Sequence, residues 1–473
     1  MPGKTRRLAA IVLAAGEGKR FKSSMPKVLH ALCGKPLLGY VLEAVEPLAT
    51  GRTVVVVGRG ADEVKLAAKA ATKKKLAFAA QEKQLGTADA ARVGDDALGK
   101  FSGDVLILPG DSPLLTTDTL RQLIDHHRAT GAAATLLTAE LEDPSGYGRI
   151  IRGRTGSVER IVEHADADAT ERKTKEVNTS VWVFDRAALR AALTKIDRTN
   201  AQHEFYLTDV VAVLKEKGEP VEAYTAQDHS EALGANSRVE LADIAALMRR
   251  RINVRHMLDG VTIIDPATTF VDAGVTIGRD TVLHPMTHLH GKTSIGEGAE
   301  IGPNVRLVDT TVGDRATILN AVAKEAEVGT GAQVGPFAYL RPGAVLEEGS
   351  KAGTYVEVKK SRIGKGSKVP HLSYIGDAEI GKNVNIGAGT ITCNYDGETG
   401  KKSKTVIEDD VLIGSDTMLV APVTVGKGAV TGAGSVVSRD IPPGGVALGA
   451  PARTIRKRNP KPKPKTSKGG RRK

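Results

Sequence analysis

The chain has 473 residues, 41% of them hydrophobic and 3% aromatic, with 52 glycines. That is length for two or three domains with small aliphatic cores and many tight turns, and it excludes a disordered chain. The formal charge of +12 belongs to one end: residues 456–473 hold ten Lys and Arg and no acid, and without them the charge falls to +2.

The first apolar run, Leu8–Ala15, follows Lys4, Arg6 and Arg7 and so mimics an export signal. Glu17, Lys19, Arg20 and Lys22 follow at once, and the run reads instead as a buried strand. Residues 53–58 and 104–111 are also short and aliphatic and are ended by Gly or Asp, so they predict two more parallel strands. Helical patterns over 37–49 and 118–130 alternate with the strands, the second closing on Gly131. This alternation predicts a Rossmann-like open α/β sheet, whose ligands bind at the carboxyl ends of the strands. Gly16–Lys27 and Gly110-Asp111 both fall at such ends.

The Gly16 stretch fits neither standard phosphate motif. Arg20 stands where a P-loop needs Ser or Thr after its Lys, and Phe21 stands where a dinucleotide fingerprint needs its third glycine. What remains is a glycine turn with two cations, Arg20 and Lys27, a pattern suited to a polyphosphate whose charge shifts during reaction.

Residues 236–258 predict a helix ended by Gly260, a connector with Arg249–Arg251 on a solvated face. Taken alone, Asn236 reads as the N-cap of that helix and Asp111 as a turn former. Beyond it the period changes. Aliphatics recur every six residues at Ile277, Leu283, Leu289, Ile295, Ile301 and Leu307. The series shifts phase and resumes at Val328, at Ile363 and at Ile407. Neither a helix nor a plain strand has that period, and a hexapeptide parallel β-helix does. Residues 371–379 interrupt it, and residues 392–404 must loop out of the coils. The expected organisation is a nucleotide-binding domain over 1–235, a helical linker over 236–260, a β-helix over 261–455 and a basic disordered tail over 456–473. The tail reads as a solvated terminus, with an electrostatic arm as the alternative.

Two cysteines, Cys33 and Cys393, form no ligand spacing and predict a reducing cytoplasm. No run approaches the ~20 apolar residues that span a bilayer. Three histidines, His284, His288 and His290, admit a zinc reading against a solvated outer face.

The motifs LAAGEGKRF, MPKVLH, QEKQLGTADA, LPGDSPL, GYGRIIR, IVEH, EVNTSVWVF and EFYLTDV, in that order, resemble the sugar-1-phosphate nucleotidyltransferases. With the hexapeptide half, nearly the whole chain resembles the bacterial bifunctional N-acetylglucosamine-1-phosphate uridylyltransferases and glucosamine-1-phosphate N-acetyltransferases. The resemblance implies an α/β nucleotidyltransferase domain followed by a left-handed β-helix, with homotrimeric assembly. It implies that UTP is held by Leu13, Ala14, Gly16, Arg20, Lys27, Gln81, Gln84, Gly86 and Thr87, with Gly110 at the ribose. Asp111 and Asn236 would ligate Mg²⁺, and Gly148, Glu163, Asn178 and Asn236 would hold N-acetylglucosamine 1-phosphate. In the second half it assigns His371 as general base. Arg341, Lys359, Tyr374 and Asn385 would bind glucosamine 1-phosphate, and Glu357 would orient the site. Ala388, Asn394, Tyr395, Ser415 and Ala433 would line the acetyl-CoA groove.

The chain departs from that pattern at three places. Ala88-Asp89 replaces a usual Gly-His, Pro109 precedes Gly110, and Ala450 stands where some relatives have an Arg, leaving Arg453 or the tail for the CoA phosphates. The partners expected are small molecules, with neither membrane nor specific nucleic acid. A nucleotidyltransferase with a merely regulatory β-helix is the alternative, and His371 beside the 392–404 loop argues against it. A purely structural β-helix predicts flat Thr-rich faces, which the sequence lacks.

Overall fold

The computed structural model describes residues 6–48 and 50–457. Two compact units divide between Met248 and Arg249, inside the helix Arg238–Leu258. Residues 458–473 of the basic tail lie outside the described residues. Arg456 and Lys457, expected in that tail, instead finish the strand Arg453–Lys457, which runs antiparallel to Gly445–Leu448.

The first unit is built on one mixed sheet. Its main path runs Val221–Thr225, Ala134–Glu140, Glu176–Asp185, Asp104–Pro109, Leu8–Ala14, Arg52–Val57 and Leu76–Ala80. Neighbours on this path are parallel except Glu176–Asp185, which is antiparallel to both its partners. The aliphatic runs have this form because both faces of the sheet are covered: Val12 and Leu108 join one core, Ile11 and Ile107 the other. The two expected helices are Leu37–Val45 and Thr117–Thr130. The first stops early because Pro47 lacks an N–H, and residues 46–48 tighten into a 3₁₀ turn. Thr116 caps the second helix at its start.

From Leu8–Ala14 the chain moves outward to the edge strand Leu76–Ala80, then returns to Asp104–Pro109 on the other side. The crevice beyond the ends of Leu8–Ala14 and Asp104–Pro109 is therefore a topological switch point.

The second unit is a three-faced parallel β-helix. Successive short strands go to three different sheets, and every third strand stacks on its predecessor, as Val282–Leu283 does on Thr262–Ile263. The six-residue positions point inward, and Leu283, Leu289, Ile301 and Leu307 are fully buried. Ile277, in the first coil, is half-buried. The phase shifts have a simple cause. Ile277 pairs with Ile295, Ile295 with Val312 and Val312 with Val328. A coil thus consumes about 16 to 18 residues, because a corner turn drops a residue while the inward position is kept. Ile380 pairs with Ile407, and that longer step is the 392–404 loop leaving the prism.

Candidate functional site

A cavity of about 740 Å³ opens at the switch point of the first unit. Leu13, Gly16, Arg20 and Lys27 reach it from the first strand and its turn. Gln81, Gln84, Gly86 and Thr87 reach it from the next crossover, and Gly148, Glu163, Asn178 and Asn236 from the far side. Ala14 does not line it. Strand side chains alternate between faces, so Leu13 and Ala15 face the cavity while Ala14 packs into the core. Gly110 also lies off the wall, and its N–H donates to the Leu13 carbonyl at 2.8 Å, tying the two strand ends together.

Three predicted residues converge at one point. Lys27 Nζ donates to Asn236 Oδ1 at 2.7 Å and forms an ion pair with Asp111 Oδ2. Both charged side chains are largely buried, Lys27 at 15% and Asp111 at 14% exposure. Two features hold this arrangement. Gly18 has φ 64, and a Cβ there would meet Lys27 Cβ at 2.7 Å, so glycine lets the lysine stem pack beneath the turn. On the other side, Asn236 is not the cap of the long helix. Ser237 Oγ accepts from Glu240 N at 3.3 Å, and the Glu240 carboxylate accepts from Ser237 N at 2.9 Å. This reciprocal box frees the Asn236 side chain for Lys27.

Asp111 Oδ2 and Asn236 Oδ1 are hard oxygen donors gathered on a single cation. One carboxylate plus one amide suits Mg²⁺, which fills the rest of its octahedron with water and phosphate oxygens.

On the wall assigned to the sugar, Glu163 accepts from Thr208 Oγ1 at 3.1 Å, and its burial raises its pKa. Gly148 lies against it, since a Cβ there would meet both Glu163 carboxylate oxygens at 3.3 Å. The Gly148 carbonyl accepts from Asn178 N at 2.9 Å. Tyr147 also lines the cavity, and burial raises its pKa. Its motif was visible in the sequence, but the side chain itself carried no signal separating it from a core aromatic.

In the second unit, stacked coils bring distant residues together. Tyr339, Glu357 and Tyr374 occupy successive rungs of one face. Arg341 Nη1 donates to Glu357 Oε1 at 2.8 Å, and Lys359 Nζ to Asp377 Oδ2 at 3.1 Å. Asn394 Nδ2 also donates to Asp377, joining the looped-out segment to this row. Asp377 was not singled out from sequence; its link to Lys359 is one coil away and shows only in the register. His371 ends the strand Lys368–His371 on the neighbouring face and is exposed. Asn385 is also on that face, stacked on Lys368. The assigned sugar-phosphate residues are therefore divided between two faces of one chain. Ala388, Ser415 and Ala433 form a column: Asp416 N donates to the Ala388 carbonyl at 2.7 Å and Gly434 N to the Ser415 carbonyl at 2.9 Å. Tyr395 is exposed, and Ala450 lies at the surface just before the strand carrying Arg453.

The three histidines do not converge. His284 Nε2 meets Glu300 at 3.0 Å, His290 Nδ1 meets Asp272 at 3.3 Å, and His288 stacks on Phe270 with ring centroids 4.6 Å apart. Among the described residues, no group of three or more His, Cys, Asp or Glu is placed to hold a metal ion.

Comparison with known proteins decides the family. Residues 9–237 match the nucleotidyl transferase family, and residues 274–308 and 404–439 match the bacterial transferase hexapeptide repeats. The bifunctional protein GlmU of a Geobacillus species is 48% identical over 450 residues, covering 95% of this chain and 96% of that protein. GlmU of Streptomyces avermitilis is 51% identical over 445 residues, covering 94% and 92%. GlmU of Mycobacterium tuberculosis is 48% identical over 459 residues, covering 96% and 92%. The chain belongs to the GlmU family. As a GlmU-family protein it is a bifunctional enzyme with nucleotidyltransferase and acetyltransferase activity, and its second unit is a left-handed parallel β-helix.

Within this GlmU-family chain the Ala88-Asp89 departure has a structural role. Asp89 is buried and accepts from Gln81 Nε2 at 2.9 Å, while the same nitrogen donates to the Gly86 carbonyl at 3.2 Å. The amide of Gln81 is thereby oriented, with Oε1 left as the acceptor for a ligand. Gly86 has φ 119, and a Cβ there would strike the Phe205 backbone, so this crossover packs as closely as glycine allows.

Proposed function

We propose that the chain makes UDP-N-acetylglucosamine in two steps. In the second unit, His371 takes a proton from the ammonium of glucosamine 1-phosphate. The freed amine attacks the thioester carbonyl of acetyl-CoA, and the CoA thiol leaves. Arg341 and Lys359 suit the sugar phosphate, and the Ala388–Ser415–Ala433 column suits the CoA groove. In the first unit, the phosphate oxygen of N-acetylglucosamine 1-phosphate attacks the α-phosphorus of UTP in line, and pyrophosphate leaves. No covalent enzyme intermediate is needed, so the protein's work is positioning and charge stabilisation. Gln81 suits the uracil edge, Arg20 and Lys27 the triphosphate, and Glu163 and Asn178 the sugar. Mg²⁺ at Asp111 and Asn236 would neutralise charge developing on the phosphates.

The observation that carries this reading is the meeting of Lys27, Asp111 and Asn236 at the switch point of a sheet whose family is known. A coupled assay with UTP, acetyl-CoA and glucosamine 1-phosphate, each omitted in turn, tests the sequence of steps. His371→Ala is expected to abolish thiol release and keep uridylyl transfer, and Asp111→Ala to do the reverse. Survival of both activities in His371→Ala removes the base assignment.

We further propose a homotrimer. The assigned acetyl-site residues lie on two faces of one prism, a division that suits completion by a neighbouring copy. Beside His371 runs an exposed apolar ladder of Phe337 (55%), Tyr355 (59%) and Leu372 (60%), with the two rings stacked 5.3 Å apart. A monomer in analytical ultracentrifugation at assay concentration overturns this. No helix among the described residues is long and apolar enough to cross a membrane. The proposed compartment is the cytoplasm: the sequence holds only two cysteines, Cys33 and Cys393, with neither a disulfide-framework nor a metal-ligand spacing. A disulfide found between them in the isolated protein would contradict it.

A further inference from the structure

The ammonium of Lys27 stands where the proposed metal ion belongs. Nζ donates to Asn236 Oδ1 at 2.7 Å and pairs with Asp111 Oδ2, and these two oxygens are the ones assigned to Mg²⁺. Lys27 is also one of the two cations assigned to the triphosphate. One ammonium cannot serve both places at once.

We propose that Lys27 has two stations. Without nucleotide, its ammonium holds Asp111 and Asn236 together as a stand-in for the divalent cation. When nucleotide and metal arrive together, it moves to the phosphate oxygens. This inference rests on the metal reading given under the proposed function.

The physics favours an exchange over sharing. Both cations draw on the same two oxygens, and in a largely buried site their mutual repulsion is weakly screened. A metal ion arriving alone must break two charge-assisted contacts and leave the ammonium unpaired in the cavity. A triphosphate supplies new acceptors for that ammonium, so the cost is offset. Metal and nucleotide are therefore positively coupled, and the coupling is reciprocal. The geometry allows the swing. The backbone of Lys27 is set in the short 3₁₀ turn Lys27–Leu29, and its Cβ lies against Gly18. Only the flexible four-carbon stem has to move. A Cβ built on Gly16, which lines the same cavity, meets nothing within 4 Å, so the wall is open at that point.

The test uses the full chain and Mn²⁺ as probe, with no nucleotide, reading free Mn²⁺ by electron paramagnetic resonance. K27M keeps the stem and removes the charge. It is expected to bind Mn²⁺ roughly tenfold tighter or more than the native chain. The gain should vanish in K27M/D111A. K27Q gives the same comparison with a polar head should K27M fail to fold, and melting curves identify a misfolded variant. Equal or weaker Mn²⁺ binding in the folded variants overturns the two-station reading. If that result comes with weaker binding in D111A alone, the metal site stands and only the exchange falls. A gain that survives D111A places the ion elsewhere and overturns both.

Discussion

Replacing Gly18 by Ala probes how tightly the turn controls chemistry. Gly18 has φ 64, and the added Cβ would lie 2.7 Å from Lys27 Cβ. Carbon atoms rest at about 3.5–4.0 Å, so the lysine stem must retreat by roughly 1 Å. The left-handed backbone adds a penalty of about 1–2 kcal/mol for a residue with a Cβ. Such a penalty lowers the melting temperature of a unit this size by ~2–8 °C. The larger effect is on rate, since a displacement of about 1 Å at a positioned group costs on the order of 100-fold. Gly18→Ala is therefore expected to lose ~100-fold in pyrophosphate release from UTP. Acetyl transfer in the same preparation should be unchanged. Uridylyl transfer within about threefold of native in a protein that melts lower would refute the link between the turn and Lys27; the threshold lies well below the factor expected for a displacement of this size.

Asp209 provides a pH test. Burial, with Asp197 and Asp166 nearby, pushes its pKa up from the usual carboxylate range to about 6. The folded state thus retains a proton that the unfolded chain releases. The ionised form costs stability, a cost absent below the unfolded value and complete above about 6. Asp209→Asn should raise the melting temperature near neutral pH, with the gain shrinking as pH falls through 6; a gain independent of pH refutes it. Asp89→Ala should release the Gln81 amide and, at the usual ~1.5–3 kcal/mol for a hydrogen bond to a charged group, raise the KM for UTP about tenfold or more. An unchanged KM would mean that Gln81 is held by the Gly86 carbonyl alone.

The sequence made the strand ends legible because glycine and aspartate punctuate them, and the hexad positions because each inward residue must be aliphatic. It did not reveal the antiparallel strand Glu176–Asp185, since direction leaves no trace in a buried aliphatic run. Taken alone, Asn236 reads as the cap of the long helix, while the resemblance assigns it to the metal and the sugar phosphate. Ser237 caps the helix instead, and the signal was present: Glu240 follows Ser237 by three residues, the spacing of a capping box. Ala14 was carried with its neighbours onto the nucleotide, but strand alternation turns it into the core. Asp377 and Lys359 lie 18 residues apart and touch because a coil returns the chain to the same corner. Such a contact is readable only once coil length is known, and that length varies as corners drop residues.

The stacked coils also act as a ruler. Each rung adds roughly 4.8 Å along the prism, whatever side chains its outer surface carries. Because a coil touches mainly the rungs above and below it, material added or removed as whole turns before Arg341 leaves the spacing of Arg341, Lys359 and Tyr374 intact. Removing part of a turn rotates every later residue to another face. Length in this half of the molecule is thus free to drift in whole coils, and the proposed acetyltransferase site moves with it as a fixed block.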